Sequence, residues 1–82
     1  MALKVLLMGR LRDVAGWRER DLEPVPAKLS DLRELLARED QTLGEALLGR
    51  GVQAAVNRAL TREDPSLASG DEVAFLPPMS GG

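Results

Sequence analysis

Leu29, Leu32, Leu35 and Leu36 fall at i, i+3, i+6 and i+7, an apolar stripe on one face of a helix. This stripe lies between runs with the two-residue period of strands, so one helical region must pack against a small sheet. Ser30 offers an N-cap and Asp31 suits the positive helix end. Glu34 and Arg38 form an i, i+4 pair worth only about 0.2–0.5 kcal/mol. Burying three of the leucines together contributes far more, about 1.5–3 kcal/mol each. Thr42-Leu43-Gly44-Glu45 then fits a capping box for a second short helix, with Gly49 as its stop. The pattern allows either two helices or one bent helix.

Ala2 to Met8 reads as a strand ended by Gly9, with Leu3, Val5 and Leu7 on one side and Lys4, Leu6 and Met8 on the other. Lys4 marks the second side as the wetter one, unless both sides are covered and only Lys4 snorkels. Leu11 to Ala15 has room for one helical turn before Gly16. Trp17 to Glu23 is charged and weakly alternating, as an exposed edge strand would be, and Pro24 and Pro26 end it. The arginines near residues 10–20 alternate with acids and read as solvated surface. Val52 to Asn57 is a second clear strand, and Asn57-Arg58 turns it into a short return strand, Ala59 to Thr61. Asp64-Pro65-Ser66 and Ser69-Gly70-Asp71 mark turns before a final strand, Glu72 to Leu76.

The order is therefore α+β: a mixed sheet of about five strands with the helix packed on one face. The helix carries the chain across the sheet, so the first and last strands lie side by side in parallel. The uncovered face should then show Leu6, Met8, Leu60, Ala74 and Leu76, with Met79 on the tail. Clustered, they form an apolar patch of the kind that marks a partner site; scattered, they are ordinary surface residues.

The chain ends Phe75-Leu76-Pro77-Pro78-Met79-Ser80-Gly81-Gly82. Each proline fixes its φ and pushes the preceding residue to extended geometry. Gly81 and Gly82 carry no Cβ, so the tip is thin. Extended, Pro78 to Gly82 reach at most about 17 Å at roughly 3.3–3.6 Å per residue. The expected organisation is a globular domain over 1–76 and a flexible Gly-Gly tail over 77–82, with the Gly82 carboxylate as the working group. The plain alternative is a frayed terminus without a role.

With 82 residues this is one small domain. Its net charge of −2 and lack of a basic run argue against nucleic-acid binding. The longest apolar run near the start, Val5-Leu6-Leu7-Met8, is too short for a membrane span or a signal-peptide core, which points to a cytoplasmic protein. The chain contains no Cys and no His. Disulfides, thiolate sites and Ser-His or Cys-His catalysis are thereby removed. Catalysis by this chain alone is not expected, and chemistry would have to be supplied in trans.

Ala54-Ala55-Val56-Asn57, Gly70-Asp71-Glu72-Val73 and the closing Pro77-Pro78-x-Ser80-Gly81-Gly82, with Lys4-Val5-Leu6 and Leu11 to Gly16, closely resemble the small subunit of molybdopterin synthase (MoaD) among ubiquitin-like sulfur carriers. Residues 17–51 match it in length and helix placement only. The resemblance implies a ubiquitin-like β-grasp fold and a role in molybdenum cofactor biosynthesis. An E1-like adenylating enzyme would use ATP and Mg to activate Gly82, a sulfurtransferase would supply sulfur, and the resulting thiocarboxylate would act inside the large catalytic subunit. The assembly implied is a heterotetramer, with no cofactor bound by this chain and no membrane or nucleic-acid partner. By the same resemblance Pro77, Pro78, Met79, Ser80 and Gly81 form the inserted tail. Met8, Leu60, Phe75 and Leu76 would contact partners, and Arg12 falls at a basic position near the adenylating enzyme. Rival roles are a ubiquitin-like protein modifier, or a sulfur carrier for thiamin or tRNA thiolation.

Overall fold

The structure, a computed structural model, describes residues 1–78. Its elements run β1 (Leu3–Leu7), α1 (Arg10–Ala15), β2 (Glu19–Leu22), α2 (Leu29–Glu39), α3 (Gln41–Leu47), β3 (Gln53–Val56), β4 (Ala59–Thr61) and β5 (Glu72–Leu76). The five strands form one sheet in the order β2-β1-β5-β3-β4. β1 and β5 pair in parallel at its centre, and every other pairing is antiparallel. This is the predicted arrangement: two hairpins joined through a helical crossover that lays the last strand beside the first.

Alternation decides the layers. Leu3, Val5 and Leu7 of β1 and Val73 and Phe75 of β5 are buried under the helices, with Leu29, Leu32, Leu36, Leu43 and Leu47 facing them. No charged or polar side chain is buried among the described residues, so the core is held by apolar burial without ionic cost. The turn at Asn57-Arg58 has positive φ at both residues, 51° and 71°. That is the type I′ geometry which matches strand twist.

The helical region is two helices, split at Asp40, whose backbone is extended. Asp40 ends α2 through its N–H to the Leu36 carbonyl and caps α3 by accepting from the Leu43 N–H at 3.2 Å. Asp40, and not Thr42, is thus the cap of the second helix. Ser30 is likewise not the cap of the first. α2 begins two residues earlier, with Lys28 at the cap position and the Asp31 carboxylate accepting from the Lys28 N–H at 3.1 Å. Both donors of Ser30 turn instead to Asp64, at 2.7 Å each. Arg20 also departs from the solvated-surface expectation. It is half-buried, donates to Glu39 at 2.7 Å and lies 5.1 Å over the Trp17 ring.

Candidate functional site

β5 runs between β1 and β3, and its last residue leads straight into Pro77 and Pro78. The strand registers place Leu6 beside Ala74, Ala74 beside Ala55 and Ala55 beside Leu60 on the face away from the helices. Met8 and Leu76 continue the same face one step nearer the tail. The predicted apolar patch is therefore present as a connected row. Leu60 is 62% and Met8 40% exposed, and Leu6 and Leu76 are half-buried. Ala74 and Ala55 are small and sit low between their neighbours, at 7% and 8%. Ala55 is absent from the expected outward set; its register opposite Leu60 and beside Ala74 is what places it here.

Charge frames the row at one side. Leu6 is paired with Glu19, and Lys4 stands 4.0 Å from Glu19 on the exposed edge. Arg12 is exposed in the last turn of α1, its N–H bonded to the Gly9 carbonyl at 3.3 Å. It thus sits one turn from the residue that follows Met8, on the side of the row nearest the tail root. A cleft of about 440 Å³ opens on the opposite flank, lined by Arg33, Gly51, Gln53, Leu60 and Arg62 among others.

Phe75 requires a correction. Strand alternation turns it to the helix side, where it is fully buried with the Arg33 guanidinium 5.7 Å over its ring. It supports the tail root from within the core and presents no surface to a partner. Met79, Ser80, Gly81 and Gly82 lie outside the described residues.

The motif residues at the other end of β5 have a structural task. Asn57 donates its amide to Asp71 at 3.1 Å and accepts from the Glu72 N–H at 3.0 Å, while Asp71 also accepts from the Ala68 N–H at 2.9 Å. The hydrogen bond from Asn57, followed by that from Ala68, holds the Asp71 carboxyl below its ordinary range. This clasp fastens the β3–β4 turn to the start of β5 and so sets the register of the strand that delivers the tail. Among the described residues no cluster of three or more Asp or Glu is placed to hold a metal ion.

A five-stranded sheet with helices on one face, an open apolar row on the other and a central strand that ends in a Pro-Pro step is a ubiquitin-like β-grasp domain. Comparison with known proteins places it further. The sequence matches the ThiS family over residues 5–82, and the chain belongs to that family. It is 34% identical over 80 residues to the Escherichia coli protein named molybdopterin synthase sulfur carrier subunit, covering 98% of this chain and 99% of that one. The solution structure of small archaeal modifier protein 1 (SAMP1) from Methanosarcina acetivorans superposes with a TM-score of 0.83 at 26% identity, covering 98% of this chain and 95% of that one. A chain in the complex of subunits 1 and 2 of molybdopterin-converting factor from Helicobacter pylori does so at 0.74 with 26% identity, covering 100% of both.

Proposed function

We propose that this chain is the sulfur-carrying small subunit of molybdopterin synthase. The observation that carries the reading is the 34% identity, over nearly all of both chains, to a protein of that name. The site agrees with it: an apolar docking row leads to a tail that ends Gly-Gly.

In this reading an E1-like partner attacks ATP with the Gly82 carboxylate, forming an acyl-adenylate and releasing pyrophosphate. A carboxylate is a poor acyl donor, and the adenylate supplies AMP as leaving group. The persulfide of a sulfurtransferase then displaces AMP to give an acyl disulfide, and a thiol of the partner cleaves its S–S bond, forming the partner's own disulfide and leaving a terminal thiocarboxylate, a tethered sulfur nucleophile. Inside the large subunit that sulfur passes to the pterin precursor. ATP and Mg²⁺ belong to the activating partner, and this chain contributes binding and delivery. Met8, Leu60 and Leu76 make the apolar contact, with Arg12 at its margin, in a cytoplasmic assembly of two small and two large subunits.

The test is incubation with an adenylating enzyme, ATP, Mg²⁺ and a sulfur source. The intact chain should gain the mass difference between sulfur and oxygen, at the C-terminus alone. Deleting Gly82, or Gly82→Ala, should leave the melting temperature unchanged and stop sulfur transfer. Normal transfer by the truncated chain refutes the proposal. The likeness to SAMP1 favours one competitor, a protein modifier. Gly-Gly remnants on the lysines of many proteins, with no thiocarboxylate, would establish that role instead.

A further inference from the structure

β5 ends where its hydrogen-bonding ends, because neither Pro77 nor Pro78 has an N–H to give to a ladder. The last ladder contacts at this end are the Met8 N–H to the Phe75 carbonyl at 3.0 Å on the β1 side and the Gln53–Leu76 pair on the β3 side. What aims the chain beyond that point must be packing. Both flanking strands place a glycine there. Two residues beyond the Leu7–Phe75 pair, the β1 side brings Gly9 beside Pro77. Two residues before the Gln53–Leu76 pair, the β3 side brings Gly51 beside Pro78.

The approach is closer than any side chain allows. An ideal Cβ on Gly9 would stand 2.9 Å from Pro77 Cγ, and one on Gly51 would stand 2.7 Å from Pro78 Cβ. Both glycines have positive φ, +54° and +83°, so each bends its own loop in a way that exposes bare backbone to the ring. We propose that Gly9 and Gly51 are positioning residues: they form a two-sided seat for the Pro77-Pro78 step and fix the direction in which the chain leaves the domain. A fixed exit keeps the chain end on course once the subunits have docked, and a small error in aim is costly at the reacting atom. The seat deepens the sulfur-carrier reading, and its effect on transfer rests on that reading; the direction of exit does not.

Gly16 supplies the control. Its φ is also +83°, yet a Cβ there meets nothing within 4 Å. Gly16→Ala therefore carries the backbone strain without touching a proline. The chain has no Cys, so Ser80→Cys accepts a single nitroxide whose broadening of backbone amide signals reports where the tail points. In the parent chain and in Gly16→Ala the broadening should fall on one confined set of amides. In Gly51→Ala it should spread well beyond that set. Pro78→Gly empties the same seat without placing a Cβ at a positive φ, and should give the same spread even if Gly51→Ala does not fold. In reconstituted sulfur transfer, Gly51→Ala should keep the parent's half-saturating concentration for the large subunit while its maximal rate falls by about ten-fold or more. Gly16→Ala should match the parent in both. An unchanged broadening pattern in Gly51→Ala or Pro78→Gly, or transfer by Gly51→Ala equal to that of Gly16→Ala, overturns the seat. If the parent chain itself takes up no sulfur, the sulfur-carrier reading fails, and the broadening pattern still decides the seat.

Discussion

Phe75 and Leu76 are adjacent in sequence and opposite in duty. Phe75 is wholly buried among the core leucines and Leu76 lies half-exposed on the outer row. Truncating Phe75 to Ala should therefore cost about 3–5 kcal/mol, the range for emptying a buried aromatic site. For a domain of this size that is a large fraction of total stability, so urea unfolding should show a much lowered midpoint or no folded baseline. Leu76→Ala leaves no internal cavity and should melt close to the parent while weakening the large-subunit complex. The reverse ranking would mean that Phe75 acts through its surface and not through the core. Gly44 shows the same logic in miniature: a Cβ there would lie 2.5 Å from the Ala37 Cβ and 2.7 Å from its Cα. The missing side chain is what lets α3 fold back onto α2.

At the level of elements, β4 is the one to watch. It is only three residues long, sits at the sheet edge and carries Leu60, 62% exposed, at the end of the apolar row. Short length limits edge-to-edge association, while Leu60 itself stands on the open face. Leu60→Asp should melt within a degree or two of the parent, because surface changes away from the core alter stability little. It should also weaken large-subunit binding by about 2 kcal/mol or more, roughly 30-fold, if Leu60 anchors the contact. Isothermal titration of the two subunits measures this directly, and unchanged affinity would remove the row from the interface.

Across the whole molecule, long-range carboxylates tie the layers together. Arg20 joins β2 to Glu39 at the end of α2, Ser30 joins α2 to Asp64 in the loop after β4, and Asn57 joins the β3–β4 turn to Asp71. Hydrogen bonds from Arg20, Ser30 and Asn57 respectively are the largest cause lowering Glu39, Asp64 and Asp71. A carboxyl with a depressed folded pKa stabilises above its unfolded value, and that contribution is lost as pH falls through the folded value. The melting temperature should accordingly hold near neutrality and fall below about pH 4, where carboxyls in the unfolded chain take up protons. Asp64→Asn and Asp71→Asn should lower it at pH 7 and flatten its fall in acid. A melting temperature that rises on acidification would show these ties to be without effect. Among the described residues no helix is long and apolar enough to cross a membrane.

Periodicity and punctuation are local, and local patterns made the architecture legible. The bounds of β5, the I′ turn, the leucine stripe and the outward set Leu6, Met8, Leu60 and Leu76 follow from spacing alone, because alternation and helical pitch act over a few residues. The caps did not follow. Ser30 is claimed by Asp64, 34 residues away, and Asp40 serves two helices because the chain bends there to cover the sheet. Nor did the role of Ala55, or the approach of Gly9 and Gly51 to the two prolines; the inward turn of Phe75 is plain alternation, and only the resemblance had made it a partner contact. Those depend on which strands become neighbours and in what register, and register is settled only when the whole sheet closes over its core.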